Sequence, residues 1–65
     1  MKLTINGERT DVQAETLKEL VAVLGFGEAK IATAVNGDFV QASDRCYVML
    51  QTNDHVEIVA PRQGG

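Results

Sequence analysis

Asn-Gly occurs twice in this chain, at Asn6-Gly7 and at Asn36-Gly37, and each pair interrupts a run of strand-forming residues. Both residue types enter the positive-φ region that a two-residue hairpin demands. Each pair therefore predicts a reversal between antiparallel strands. Ahead of the first turn, Met1, Leu3 and Ile5 alternate with Lys2 and Thr4, the period of two that sets one strand face on a core and the other toward water. The return strand, from about Glu8 to Val12, is polar and belongs at an edge of the sheet. Ahead of the second turn, Ile31 to Val35 is apolar except for Thr33, which predicts a strand with much of both faces covered. Asp38 to Gln41 is its return strand.

Between the two hairpins lies one helix signal. Thr16-Leu17-Lys18-Glu19 has capping-box spacing, in which the threonine hydroxyl takes one orphan N–H and the glutamate reaches back for another. Leu17, Leu20, Val21 and Leu24 then fall on one stripe, with Lys18 and Glu19 off it. Gly25 supplies the positive φ that stops the helix, and Phe26 covers its last turn. Downstream, Ala42 to Tyr47 is a polar connection in which Ser43-Asp44 could cap one helical turn. After Val48, Met49 and Leu50, Thr52-Asn53-Asp54 predicts a turn. Val56, Ile58 and Ala60 then alternate with His55, Glu57 and Val59 as a last strand. The order is strand, strand, helix, strand, strand, strand, an α+β chain whose single helix covers one face of a mixed sheet of about five strands.

Size and charge narrow the function. A chain of 65 residues, 45% apolar, makes one globular domain but encloses too little volume for a deep pocket with a full catalytic set. This favours a carrier or binding module over an enzyme. The net charge of −3, without a basic run, speaks against nucleic acid as a partner. No apolar run approaches a membrane span and the N-terminus lacks a signal-peptide layout, so the expectation is a cytoplasmic protein that does not enter membranes. A single cysteine, Cys46, suits a reducing compartment. With no companions at ligand spacing, Cys46 and the lone His55 predict no metal site. Cys46 is expected to be an ordinary small or partly exposed residue, His55 a surface residue at a turn or strand start, and Asp54 a turn residue rather than a catalyst.

The last five residues, Pro61-Arg62-Gln63-Gly64-Gly65, carry no apolar anchor after the proline and predict a flexible tail, residues 61–65, following a folded domain of residues 1–60. Taken together, four segments resemble a known family: Leu3-Thr4-Ile5-Asn6-Gly7; Thr16-Leu17-Lys18-Glu19-Leu20; Ala34-Val35-Asn36-Gly37-Asp38-Phe39-Val40; and the run from Val56 to Gly65. Their order, spacing and total length resemble the ubiquitin-like β-grasp proteins and, among them, the ThiS family of sulfur carriers of thiamine biosynthesis. Asn53-Asp54 stands where that family usually shows Gly-Asp, a mild change because asparagine tolerates the left-handed region. The segment from Val40 to Cys46 departs from the Val-Pro-Arg type of sequence often found there.

The resemblance implies a ubiquitin-like β-grasp fold and a function at the tail. An E1-like adenylating enzyme would use ATP and Mg²⁺ to turn the Gly65 carboxylate into an acyl-adenylate. Sulfur from a persulfide-bearing enzyme would then make Gly65 a thiocarboxylate, which thiazole synthase would consume. Gly64, Gln63 and Arg62 would contact the partner. No cofactor would be stably bound, and the free protein would be a monomer. The residue types suit such work: without Cβ atoms Gly64 and Gly65 fit a narrow channel, Pro61 ends the strand ladder, and Arg62 offers a cation to a partner carboxylate. Five extended residues reach about 16 to 18 Å. Other uses of the same fold and tail are a sulfur carrier for another pathway, such as molybdopterin synthesis, a ubiquitin-like modifier of lysines, and a binding module with an inert tail.

Overall fold

The computed structural model describes residues 1–27 and 30–60. Strands β1 (Lys2–Ile5) and β2 (Glu8–Asp11) form the first hairpin, helix α1 (Leu17–Val23) follows, and β3 (Ala32–Val35) and β4 (Asp38–Val40) form the second hairpin. A 3-10 helix (Ala42–Tyr47) then leads to β5 (His55–Val59). The five strands make one sheet in the order β2-β1-β5-β3-β4. Strand β5 runs parallel to β1 and antiparallel to β3. The sheet is therefore mixed, as expected, with the polar β2 at an edge, and among the described residues one α-helix, α1, lies against one face. This is the β-grasp arrangement.

Local chemistry explains the element ends. At both hairpins the asparagine and the glycine have positive φ, 50° and 82° at Asn6-Gly7 and 50° and 88° at Asn36-Gly37, the pattern of a type I′ turn that matches strand twist. The capping box is complete: Glu19 N–H donates to the Thr16 hydroxyl at 3.1 Å, while the Glu19 carboxylate accepts from Thr16 N–H at 3.1 Å and from Glu15 N–H at 2.8 Å. At the other end Gly25, with φ 88°, donates to the Ala22 carbonyl, and Phe26 N–H donates to Val21 O. This pair of bonds is a Schellman stop, with half-buried Phe26 packed against the core. Asn53 takes φ 76°, the left-handed conformation its position requires.

Leu3, Val12, Leu17, Leu20, Val21, Val40, Leu50, Val56 and Ile58 form the core between helix and sheet. Three expectations need correction. In β3 the interruption, Thr33, is the residue most deeply buried, whereas Ala32 is exposed. One face of β3 meets the core and the other is open, and Thr33 belongs inside because its hydroxyl donates to Val40 O at 2.7 Å and accepts from Arg45 Nε at 3.1 Å. The return strand β4 stops at Val40, and Gln41 becomes the residue that opens the 3-10 helix without a side-chain cap. Asp44 caps nothing there; its carboxylate accepts from Gln41 Nε2 at 3.1 Å. The first return strand is Glu8–Asp11, and Val12 carries its pairing one residue further, as expected: its N–H donates to Met1 O at 2.9 Å and its carbonyl accepts from the Met1 amino group at 2.8 Å.

Candidate functional site

The residues singled out for chemistry, Gly65, Gly64, Gln63 and Arg62, lie with Pro61 outside the described residues. What is described is the ground they grow from. Strand β5 ends at Val59, in the last pair of the ladder with β3, where Val59 faces Ala32. A strand in the middle of a sheet is held from two sides, and β5 is held by backbone and by side chain. Toward β1, Thr4 N–H donates to Asp54 O and Asn6 N–H to Val56 O, each at 2.9 Å. Toward β3, Asn36 N–H donates to His55 O at 2.7 Å. Inward, Val56 and Ile58 are 1% and 5% exposed and anchor the strand on the core.

Both hairpin asparagines add a grip that reading them as turn residues alone misses. Asn6 Oδ1 accepts from Ile58 N–H at 2.8 Å and Asn6 Nδ2 donates to Ile58 O at 3.0 Å. At the opposite end of β5, Asn36 Oδ1 accepts from His55 N–H at 2.9 Å and Nδ2 donates to Asp54 Oδ1 at 3.0 Å. Asp54 also accepts from Gln51 N–H at 2.8 Å, which makes it a turn-building residue, as expected. His55 is exposed at the strand start. The available signal was the residue type: aspartate or glycine also serves at such a turn, but only an amide offers donor and acceptor together.

The sheet face away from α1 is open. Cross-strand pairing places Phe39 opposite Ala34 and Val59 opposite Ala32 on that face. Phe39 is 72% and Val59 60% exposed. An apolar strip thus runs from Phe39 through Ala34 and Ala32 to Val59, ending where the chain leaves the sheet. Two surface hollows lie elsewhere. The larger, about 380 Å³, sits by Met1, Val12 and Glu19 at the end of the sheet remote from the exit of β5. The other, about 290 Å³, lies between α1 and the 3-10 helix and is bordered by Lys18, Ser43, Arg45 and Cys46. Cys46 is exposed, and the cation next to it in sequence is committed elsewhere: the Arg45 guanidinium donates to Thr33 Oγ1 and, at 2.8 Å, to Ile31 O. Among the described residues no group of three His, Cys, Asp or Glu side chains is placed to hold a metal ion. The Glu19 carboxyl is held below its usual value chiefly by the N–H of Glu15 and then that of Thr16. It belongs to the helix cap.

Comparison with known proteins agrees with this picture. The model of the ThiS family matches residues 3–65. The fold superimposes with a TM-score of 0.82 on the crystal structure of a thiamine biosynthesis protein (ThiS) from Geobacter metallireducens, 28% identical, with all of both chains covered. A solution structure of a thiamine biosynthesis protein from the same organism gives a TM-score of 0.81 at 26% identity, covering all of this chain and 88% of the other. No curated protein sequence matches the chain significantly.

Proposed function

We propose that this chain, which belongs to the ThiS family, is a sulfur carrier of thiamine biosynthesis whose reactive group is the Gly65 carboxylate. The observation that carries the reading is that the family match runs to residue 65 and so includes Gly64-Gly65, on a domain whose last strand is paired on both sides. A carboxylate is a poor acyl donor because neither oxygen can leave. Transfer of AMP from ATP by an adenylating enzyme, with Mg²⁺ on the phosphates, supplies a leaving group. The terminal sulfur of a persulfide then displaces AMP at the acyl carbon to give an acyl disulfide, and a second thiol attacks the donor's own sulfur, forming a disulfide there and releasing the Gly65 thiocarboxylate for thiazole synthase. The carrier contributes placement, which in such transfers is a large part of the rate. It is a co-substrate and not a catalyst, and it works as a monomer in the cytoplasm with no cofactor of its own. Arg62, Gln63 and Gly64 contact the partner.

The apolar strip supports one further element of this reading. An active site that receives Gly65 must also cover the ground from which the tail starts, and that ground carries Val59, Ala32, Ala34 and Phe39. The adenylating enzyme docks there.

Incubation with a cognate adenylating enzyme, ATP, Mg²⁺ and a persulfide source should shift the intact mass by one oxygen-to-sulfur exchange, located in the C-terminal peptide. Gly65→Ala should react far more slowly and fold normally. An unshifted mass, or a shift located at Cys46, refutes the proposal.

A further inference from the structure

We infer that Asn6 is a positioning residue for the reactive tail: its side-chain amide stands in for the missing backbone of β1 and fixes the direction in which the chain leaves the sheet. This role rests on the carrier reading above. Strand β1 abandons β5 at the Asn6-Gly7 turn, since its last paired residue, Ile5, lies opposite Val56. The next β5 residue whose N–H and C=O face the β1 side is Ile58, two further along. Its side chain is 5% exposed, and no β1 backbone reaches that level. The peptide edge there is partly buried, and without partners it would fray. The Asn6 amide occupies the vacant place, accepting from Ile58 N–H at 2.8 Å and donating to Ile58 O at 3.0 Å. One planar group thus mimics a peptide unit and holds β5 straight to within three residues of Pro61.

The sequence separation of 52 shows that this is no local turn chemistry. The φ of 50° at Asn6 is equally open to glycine or aspartate. Neither satisfies both groups: glycine supplies nothing, and aspartate sets a carboxylate against the Ile58 carbonyl. The second Asn-Gly turn provides an internal control. Asn36 makes the same number of side-chain hydrogen bonds, two, at the other end of β5, where no tail begins.

The experiment compares Asn6→Gly, Asn6→Asp and Asn36→Gly with the wild-type protein. Each is measured for thermal stability, for amide exchange at Ile58, and for kcat and KM of thiocarboxylate formation with the adenylating enzyme. Both Asn6 variants should lose protection at Ile58 and lose about ten- to a hundredfold in kcat, with KM changed less than about threefold, because misplacing the reacting group spares the docking face. Asn36→Gly should lose comparable stability and keep its kcat. Equal kcat losses in Asn6→Gly and Asn36→Gly, or an unchanged kcat in both Asn6 variants, overturn the positioning role alone. A wild-type protein that is never converted overturns the carrier reading itself, and the positioning role with it.

Discussion

Thr33→Val is the sharpest test of how this small core is held. The side chain is 2% exposed. Valine has the same shape, so the substitution leaves packing intact and deletes only hydrogen bonding. Two bonds go: the hydroxyl no longer donates to Val40 O at 2.7 Å and no longer accepts from Arg45 Nε at 3.1 Å. A neutral buried bond contributes about 1 kcal/mol and one to a charged group about 1.5 to 3 kcal/mol. The second figure is reduced here because Arg45 is only half-buried and keeps its bond to Ile31 O at 2.8 Å, so its freed N–H meets water. The expected loss is about 2 kcal/mol. Against a total of roughly 3 to 10 kcal/mol for a domain of this length, that is a large fraction. It should lower Tm by about 8 to 16 °C. Thermal and urea unfolding followed by circular dichroism measure it, with Arg45→Met, which retains the aliphatic stem, as the second arm of a double-mutant cycle. The two substitutions should couple by about 1 kcal/mol. A Tm within about 3 °C of wild type, or strict additivity, would show that the hydroxyl does not join β3, β4 and the 3-10 helix, and the reasoning would fail.

Other outcomes follow from the same geometry. The Glu19 carboxyl is depressed below its ordinary 4.5 by the N–H groups of Glu15 and Thr16; the stabilisation is therefore full above the unfolded value and is lost as pH falls through the lower folded value. The stability difference between wild type and Glu19→Gln should be constant near neutrality and shrink below pH 4.5, and a difference independent of pH from urea titrations would contradict the assignment. Phe39→Asp, at a position 72% exposed, should leave Tm unchanged while raising KM for the adenylating enzyme about tenfold or more; an unaltered KM removes the strip from the docking surface. Cys46→Ser should change stability by no more than about 0.5 kcal/mol, since the thiol is exposed, and should keep full sulfur loading by mass spectrometry; a dead variant would move the sulfur chemistry to the thiol.

What could be read from the sequence shares one property: it is decided within about four residues. The Asn-Gly turns, the Thr16–Glu19 box, the Gly25-Phe26 stop and the alternation from His55 to Val59 are each settled by local φ preferences, caps and side-chain period. The order of elements followed, and with it the fold. What escaped is decided by distant partners. Thr33 looks like a polar break in an apolar run until Arg45 and Val40 are placed around it, and Ala32 looks like core until β3 proves to have an open face. The grip of Asn6 on Ile58 depends on the parallel pairing of the first and last strands, which no window on the sequence contains. At the candidate site the acyl chemistry proposed for the tail comes from the family resemblance, whereas the supporting contacts at its root come from strands far away in the chain.

The parallel pairing of β1 with β5 also has a mechanical meaning. In the carrier role proposed above, a partner drawing on the end of the chain would load β5 along its axis, away from the start of β1. Load applied in that sense slides neighbouring strands past one another instead of peeling them apart, so the bonds from Thr4 to Asp54, from Asn6 to Val56 and from Asn36 to His55 share the force at once. Unzipping from one end is not available. The domain can therefore act as a stiff handle, transmitting tension on its last residue to the whole sheet while the 36 Å long body stays folded.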